Sequence, residues 1–111
     1  MGRTTADGHR LMRPIHLARL DKTRPVVILT RERVRPYLQR VTVAPITTTI
    51  RGLHTEVEVG PRNGLERDSV IACDNIVTMP RSDIGRMLGY LLPDQEQALT
   101  RAITTAFDLE S

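Results

Sequence analysis

Between residues 14 and 92 the apolar residues come in short bursts, each closed by a proline, a glycine or a cluster of charge. Bursts of this length suit strands, whereas a globular helix needs an apolar stripe sustained over several turns. Ile15-His16-Leu17-Ala18-Arg19-Leu20 alternates in part and reads as a strand, with Asp21-Lys22-Thr23-Arg24 as a tight polar connection. Pro25 to Thr30 is continuous and β-branched, which predicts a central strand with proline at its first position, where a missing donor does least harm. Arg31 to Gln39 contains Pro36 and reads as a loop with one helical turn. Arg40 to Ile46 alternates well, and Pro45 implies that this strand ends, bulges or meets an edge there.

Thr47 to Gly52 is a polar loop, and Thr55-Glu56-Val57-Glu58-Val59 alternates strictly, as a strand with one wet face should. Gly60-Pro61-Arg62-Asn63-Gly64 carries strong turn chemistry. Residues 69–73 and 75–79 read as two further strands, and Ile84 to Leu92, with Gly85 and Gly89, as a bent or bulged one. Only the C-terminal end reads as a helix. There Leu99, Ala102, Ile103, Ala106 and Phe107 recur at helical spacing, with Asp94 as the expected cap, Gln97 at the capping-box position and Phe107 in the core.

This pattern predicts a mainly β protein with one helix: a small, curled, antiparallel SH3-like barrel with a C-terminal helix. A chain of 111 residues has room for one such domain. Residues 1–12 are polar and basic and are expected to form a flexible N-terminal arm, leaving residues 13–111 as the domain. The arm lacks the apolar core of a secretory signal, and no apolar stretch approaches the roughly 20 residues that cross a bilayer. With one cysteine, Cys73, no internal disulfide is possible, and a reducing cytoplasm is the expected location.

Charge is divided unevenly along the chain. Residues 1–51 hold eleven Lys/Arg against three Asp/Glu, and residues 52–111 hold five against ten. All the basic residues except Lys22 are arginine, whose planar guanidinium matches phosphate oxygens and keeps its charge at any working pH. An anionic partner is therefore expected. The sequence has no Cys/His cluster, glycine-rich phosphate loop or paired-carboxylate spacing, which removes zinc, nucleoside triphosphate and glycosidase chemistry from consideration. No metal or cofactor is expected.

Several segments, in order, resemble the MazF/PemK family of toxin endoribonucleases. Arg24-Pro25-Val26-Val27-Ile28-Leu29 looks like the family's Arg-Pro followed by an aliphatic strand. Val43-Ala44-Pro45-Ile46-Thr47-Thr48 looks like its strand running into a Pro-X-Thr loop. Gly64-Leu65, Ser69-Val70-Ile71 and Asp74-Asn75-Ile76-Val77-Thr78 look like its third motif. The resemblance spans roughly residues 13–108. It implies a toxin that cuts single-stranded RNA, a homodimer with RNA lying across the interface, and a cognate MazE-like antitoxin as partner. No membrane partner is implied.

By the same resemblance, Arg24 and Thr47 fall on the two catalytic positions. The reaction implied is attack of a ribose 2′-hydroxyl on the adjacent phosphate, without a metal, leaving a cyclic phosphate and a free 5′-hydroxyl. Asp21, Lys22, Thr48, Arg51, Asp74 and Asn75 are the expected RNA contacts. The sequence departs from the family twice: the long loop before Arg-Pro is replaced by Leu20-Asp21-Lys22-Thr23, with Asp21 the one nearby acid, and Val77 stands where an arginine is frequent.

The residue chemistry agrees with these assignments. Arginine grips phosphate oxygens as their charge grows, but with a pKa above about 12 it is a poor proton carrier. Threonine can hold an oxygen but is too weak an acid to start the reaction. Read without the family, Arg24 is an ordinary surface arginine, Thr47 a loop threonine, and Asp74-Asn75 turn chemistry. His16 reads as a packed or wet strand residue, His54 as exposed beside a loop, and Cys73 as a buried small apolar group. Tyr37, Tyr90 and Phe107 are the chain's aromatics, so base stacking is sparse and affinity should rest on arginine–phosphate contacts. Two other readings remain open: a non-catalytic toxin of the same barrel acting on a protein such as gyrase, and a silent nucleic-acid-binding barrel.

Overall fold

The computed structural model describes residues 12–109; the expected arm falls almost wholly on residues 1–11, outside the described residues. Among the described residues seven strands and one α-helix follow in chain order: β1 (Pro14–Arg19), β2 (Thr23–Ile28), β3 (Arg40–Thr47), β4 (Glu56–Val59), β5 (Ser69–Ala72), β6 (Val77–Pro80), β7 (Ile84–Tyr90) and α1 (Pro93–Ala106). Single 3-10 turns occupy Arg35–Tyr37, Pro61–Asn63, Cys73–Asn75 and Arg81–Asp83. The strands pair antiparallel in the order β4-β5-β3-β2-β1-β7, with β6 also on β3. The sheet curls into the expected small barrel.

β3 organises the sheet. One edge pairs with β2 through Val43, Ala44 and Pro45. The other pairs first with β6, as far as Val43↔Val77, and then with β5 from Ile46↔Ile71. Pro45 falls in the gap between these partners, where no paired residue requires a donor. The strand therefore runs through the proline and reaches Thr47, where sequence pattern alone left an end, a bulge or an edge open.

Apolar side chains cover both faces of the sheet at β2, where Val27 joins one core and Val26 and Ile28 the other, which is why that strand reads as a continuous rather than an alternating run. The larger core joins Ile15, Val27, Ala44, Ile46, Val57, Ile71 and Leu91 to Leu99 and Ala102 of α1. A smaller one on the opposite face gathers Ala18, Val26, Ile28, Val41, Val43 and Met79. β7 carries the expected bulges, with register shifts against β1 between Ile15 and His16 and between His16 and Ala18.

β4 and β7, the two ends of the strand order, do not pair with each other. Close backbone approach and two buried amides join them instead. Gly64 has φ +87°, and a Cβ there would lie 2.1 Å from the Leu88 carbonyl oxygen. A Cβ on Gly89 would lie 2.2 Å from the Asn63 carbonyl oxygen. Asn63 Nδ2 donates to Gln95 Oε1 at 2.6 Å and to the Tyr90 carbonyl at 2.9 Å. Gln95 Nε2 returns a bond to Asn63 Oδ1 at 3.0 Å and reaches the Glu58 carbonyl at 3.1 Å. Gly60 N–H donates to Asn63 Oδ1 and Leu92 N–H to Gln95 Oε1, so both buried amides are fully engaged.

Three helix expectations are corrected. The cap residue is Leu92, with Pro93 opening the helix at a position whose N–H would be unpaired in any case. Gln95, not Gln97, reaches back to the cap N–H. Asp94 sits one residue inside and pairs with Arg62 at 2.9 Å, which holds its carboxyl below the ordinary range. Phe107 lies just past the last turn and is 56% exposed, so Ile103 and Ala106 carry the stripe into the core in its place.

Candidate active site

β2 begins at Thr23, two residues before the expected start at Pro25, and so takes Arg24 into the strand. Extending the β2–β3 register by two residues from Val26↔Pro45 sets Arg24 opposite Thr47 on the same face. These residues, 23 apart in the chain, are neighbours because the strands that carry them are. Both line a cleft of about 400 Å³ together with Lys22, Thr48, Arg51, Asp74 and Asn75. Asp21 stands behind the cleft. Its carboxylate accepts a bond from Arg24 Nη2 at 3.0 Å, and the fork is thereby aimed. Arg24 Nε is shielded from solvent and has no partner among the described residues.

Desolvation alone would raise the Asp21 carboxyl. The Lys22 backbone N–H and the Arg24 charge outweigh it and hold the group below the ordinary carboxylate range. Thr47 Oγ1 accepts a bond from Thr49 N–H at 3.1 Å. That bond occupies a lone pair and leaves the hydroxyl hydrogen available to an oxygen in the cleft.

Glu56 is the cleft residue that sequence reasoning missed. Its Oε1 accepts from the backbone N–H groups of Gly52 at 2.9 Å and of Arg51 and Leu53 at 3.2 Å. Gly52, at φ +73°, gives the loop the concave backbone that presents successive N–H groups to an anion. The loop carrying Arg51 is thus clamped to the start of β4. The one local hint in the sequence is an acid four residues after a loop glycine. Across the cleft, Thr55 Oγ1 donates to Asp74 Oδ2 at 2.7 Å and fixes the 3-10 turn Cys73–Asn75, where sequence pattern placed the beginning of a strand at Asn75.

Three cations (Lys22, Arg24, Arg51) and two carboxylates (Glu56, Asp74) line the cleft. Backbone N–H groups take up the Glu56 charge, and the Thr55 hydroxyl binds Asp74, so the donors left to the cleft are those of Lys22 and the two guanidinium groups. Arg31, Arg33, Arg35 and Arg40 lie at the far end of β2 and β3, outside the cleft, so the basic first half of the chain divides in space. His16 is half-buried with Nδ1 2.9 Å from the Gly85 carbonyl, and His54 is exposed; neither lines the cleft. Cys73 is buried. Burial and then the Asp74 charge push its thiol up to about 11, so it is no nucleophile. Among the described residues no group of three or more His, Cys, Asp and Glu is placed to hold a metal ion.

Fold and cleft together define a small β-barrel protein with a guanidinium-lined, anion-facing site at one strand end. Residues 13–107 match the model of the PemK-like, MazF-like toxins of type II toxin–antitoxin systems, and the chain belongs to that family. It is 65% identical over 99 residues to endoribonuclease MazF3 of Mycobacterium tuberculosis, covering 89% of this chain and 96% of the relative. A probable endoribonuclease MazF5 of the same organism is 37% identical over 86 residues, covering 77% and 79%. The solved structure of Mycobacterium tuberculosis toxin MazF-mt6 superposes with a TM-score of 0.87 at 64% identity, covering 89% of this chain and all of that one. A mycobacterial endoribonuclease in complex with its cognate antitoxin superposes with a TM-score of 0.79 at 25% identity, covering 88% and 94%.

Proposed function

We propose that this chain is a sequence-specific endoribonuclease, the toxin of a toxin–antitoxin pair, which cuts single-stranded RNA such as mRNA in the cytoplasm. The reading is carried by the placing of Arg24 opposite Thr47 in one cleft, with Lys22, Arg51, Asp74 and Asn75 around them. The names of the mycobacterial relatives support it.

In the proposed reaction the 2′-oxygen of one ribose attacks its own 3′-phosphorus and loses its proton to a base. The bond from phosphorus to the 5′-oxygen of the next nucleotide breaks, and that oxygen gains a proton. The products are a 2′,3′-cyclic phosphate and a 5′-hydroxyl. Arg24, held by Asp21, donates to the non-bridging oxygens as charge builds on them. Thr47 donates its free hydroxyl hydrogen to one of the same oxygens or aligns the attacking hydroxyl. Lys22, Thr48 and Arg51 bind flanking phosphates, and Asp74 and Asn75 meet base edges. No metal enters this scheme. The need for a 2′-hydroxyl selects RNA over DNA. A homodimer and an acidic antitoxin segment that fills the cleft complete the proposal; a mycobacterial relative is known in complex with its antitoxin.

The test is incubation of the purified protein with long single-stranded RNA in EDTA, with Arg24→Ala alongside. Cutting should proceed with the chelator present and fall on the order of 100- to 1,000-fold in the variant. Intact RNA under these conditions, or equal cutting by the variant, would overturn the proposal. Gyrase inhibition without RNA contact would mark a protein-directed toxin instead.

A further inference from the structure

A second depression, of about 680 Å³, lies beside the cleft, and Thr48 lines both. Its floor is apolar: Leu17 pairs with Pro25, extending the β2–β3 register by one residue sets Pro25 opposite Ile46, and Leu65 and Leu88 join them. These residues share the sheet face of the larger core. Leu99 and Ala102 pack α1 among Val57, Ile71 and Leu91 of that core, and no α1 residue lines this depression. Leu17 and Leu88 are only half-buried. Arg67 and Arg86, both exposed and without an ion pair among the described residues, stand on the rim, with Glu66 as the one acid there.

We infer that this depression is a subsite for the nucleotide next to the one cut, with its base against the leucine floor and its edge or phosphate held by Arg67 and Arg86. The inference rests on the RNA reading of the cleft and extends it. An RNA strand held at Arg24 and Thr47 has to leave the cleft, and Thr48 is the lip the two depressions share. Flat base faces favour apolar walls, base edges and phosphates favour guanidinium, and the depression offers both at nucleotide scale. None of the chain's aromatics lines either depression, so aliphatic contact has to take the place of ring stacking.

The experiment measures binding rather than cutting, by fluorescence anisotropy with non-cleavable 2′-deoxy oligonucleotides. One is just long enough for the cleft; others add one nucleotide on either side, with an intact base or an abasic site. On one side the intact extension should tighten Kd by about tenfold, and the abasic extension should lose most of that gain. Arg67→Gln with Arg86→Gln should cut the gain to about threefold or less while Kd for the short oligonucleotide stays the same. Leu17→Ser, which alters the floor without touching charge, should do likewise.

Equal gains in wild type and variants, or an abasic extension as good as an intact one, would overturn the subsite. So would a change in oligomeric mass of Leu17→Ser by light scattering, which would make the floor a protein contact. RNA cutting with no length effect removes the subsite alone. Failure of every oligonucleotide to bind removes the RNA reading as well.

Discussion

The β4–β5 hairpin has a closed end and an open end, and polar side chains organise both. At the closed end Asn63 and Gln95 are buried, and their amides bond to each other and to backbone on four sides. At the open end Glu56 and Asp74 are bound from within, while Lys22 and Arg51 are exposed and Arg24, half-buried and held by Asp21, lines the cleft between them. The closed end uses its whole hydrogen-bonding capacity for the fold. The open end fixes its backbone and, apart from the Arg24–Asp21 bond, leaves its cationic donors unspent. Saturation therefore separates the polar residues that hold this barrel together from those the proposed function assigns to RNA.

Gly64→Ala tests the closed end most severely. The new methyl would meet the Leu88 carbonyl at a positive φ, and urea unfolding should show a loss of about 4 kcal/mol, in the upper tail for single substitutions. Asn63→Ala comes next. It leaves the Gln95 amide buried with two bonds missing, and about 2–3 kcal/mol should be lost while the folded fraction cuts RNA at an unchanged rate. A lost cutting rate in folded Asn63→Ala would break the division between the two ends.

Glu56→Ala tests the open end. Releasing the 51–53 backbone should lower kcat/KM for RNA about tenfold, a little over 1 kcal/mol, with a small change in stability. Glu56→Gln keeps an acceptor and should recover part of that loss. The last effect is on pH dependence and is confined to alkaline conditions, so it is the smallest near neutral pH. The buried Cys73 thiol ionises at about 11 rather than 9.0, so above pH 9.0 the unfolded chain releases a proton that the folded one retains. Stability from this group is intact below pH 9.0 and declines toward about 11, and Cys73→Ala should flatten that part of the unfolding curve.

Periodicity revealed the strands, the bulged β7 and the helix stripe because each is a local repeat that the backbone geometry enforces. Family resemblance then located Arg24 and Thr47, and the β2–β3 register explains why those two positions belong together. The Asn63–Gln95 pair was hidden, since its members lie 32 residues apart and each has a sufficient local reading, one as a turn residue and the other as a helix residue. Glu56 was hidden for the same reason, reading as the wet position of an alternating strand. Phe107 was misplaced because the stripe continues in spacing after the helix has ended.

Pro45 also works as a register pin. A slip of β3 by one residue would carry its ring beneath a partner that needs a donor, and would turn every following side chain to the opposite face. Thr47 would then point into the barrel, away from Arg24. A residue with no polar side chain thus guards the alignment of two that have one, and misthreading at this strand is penalised during folding.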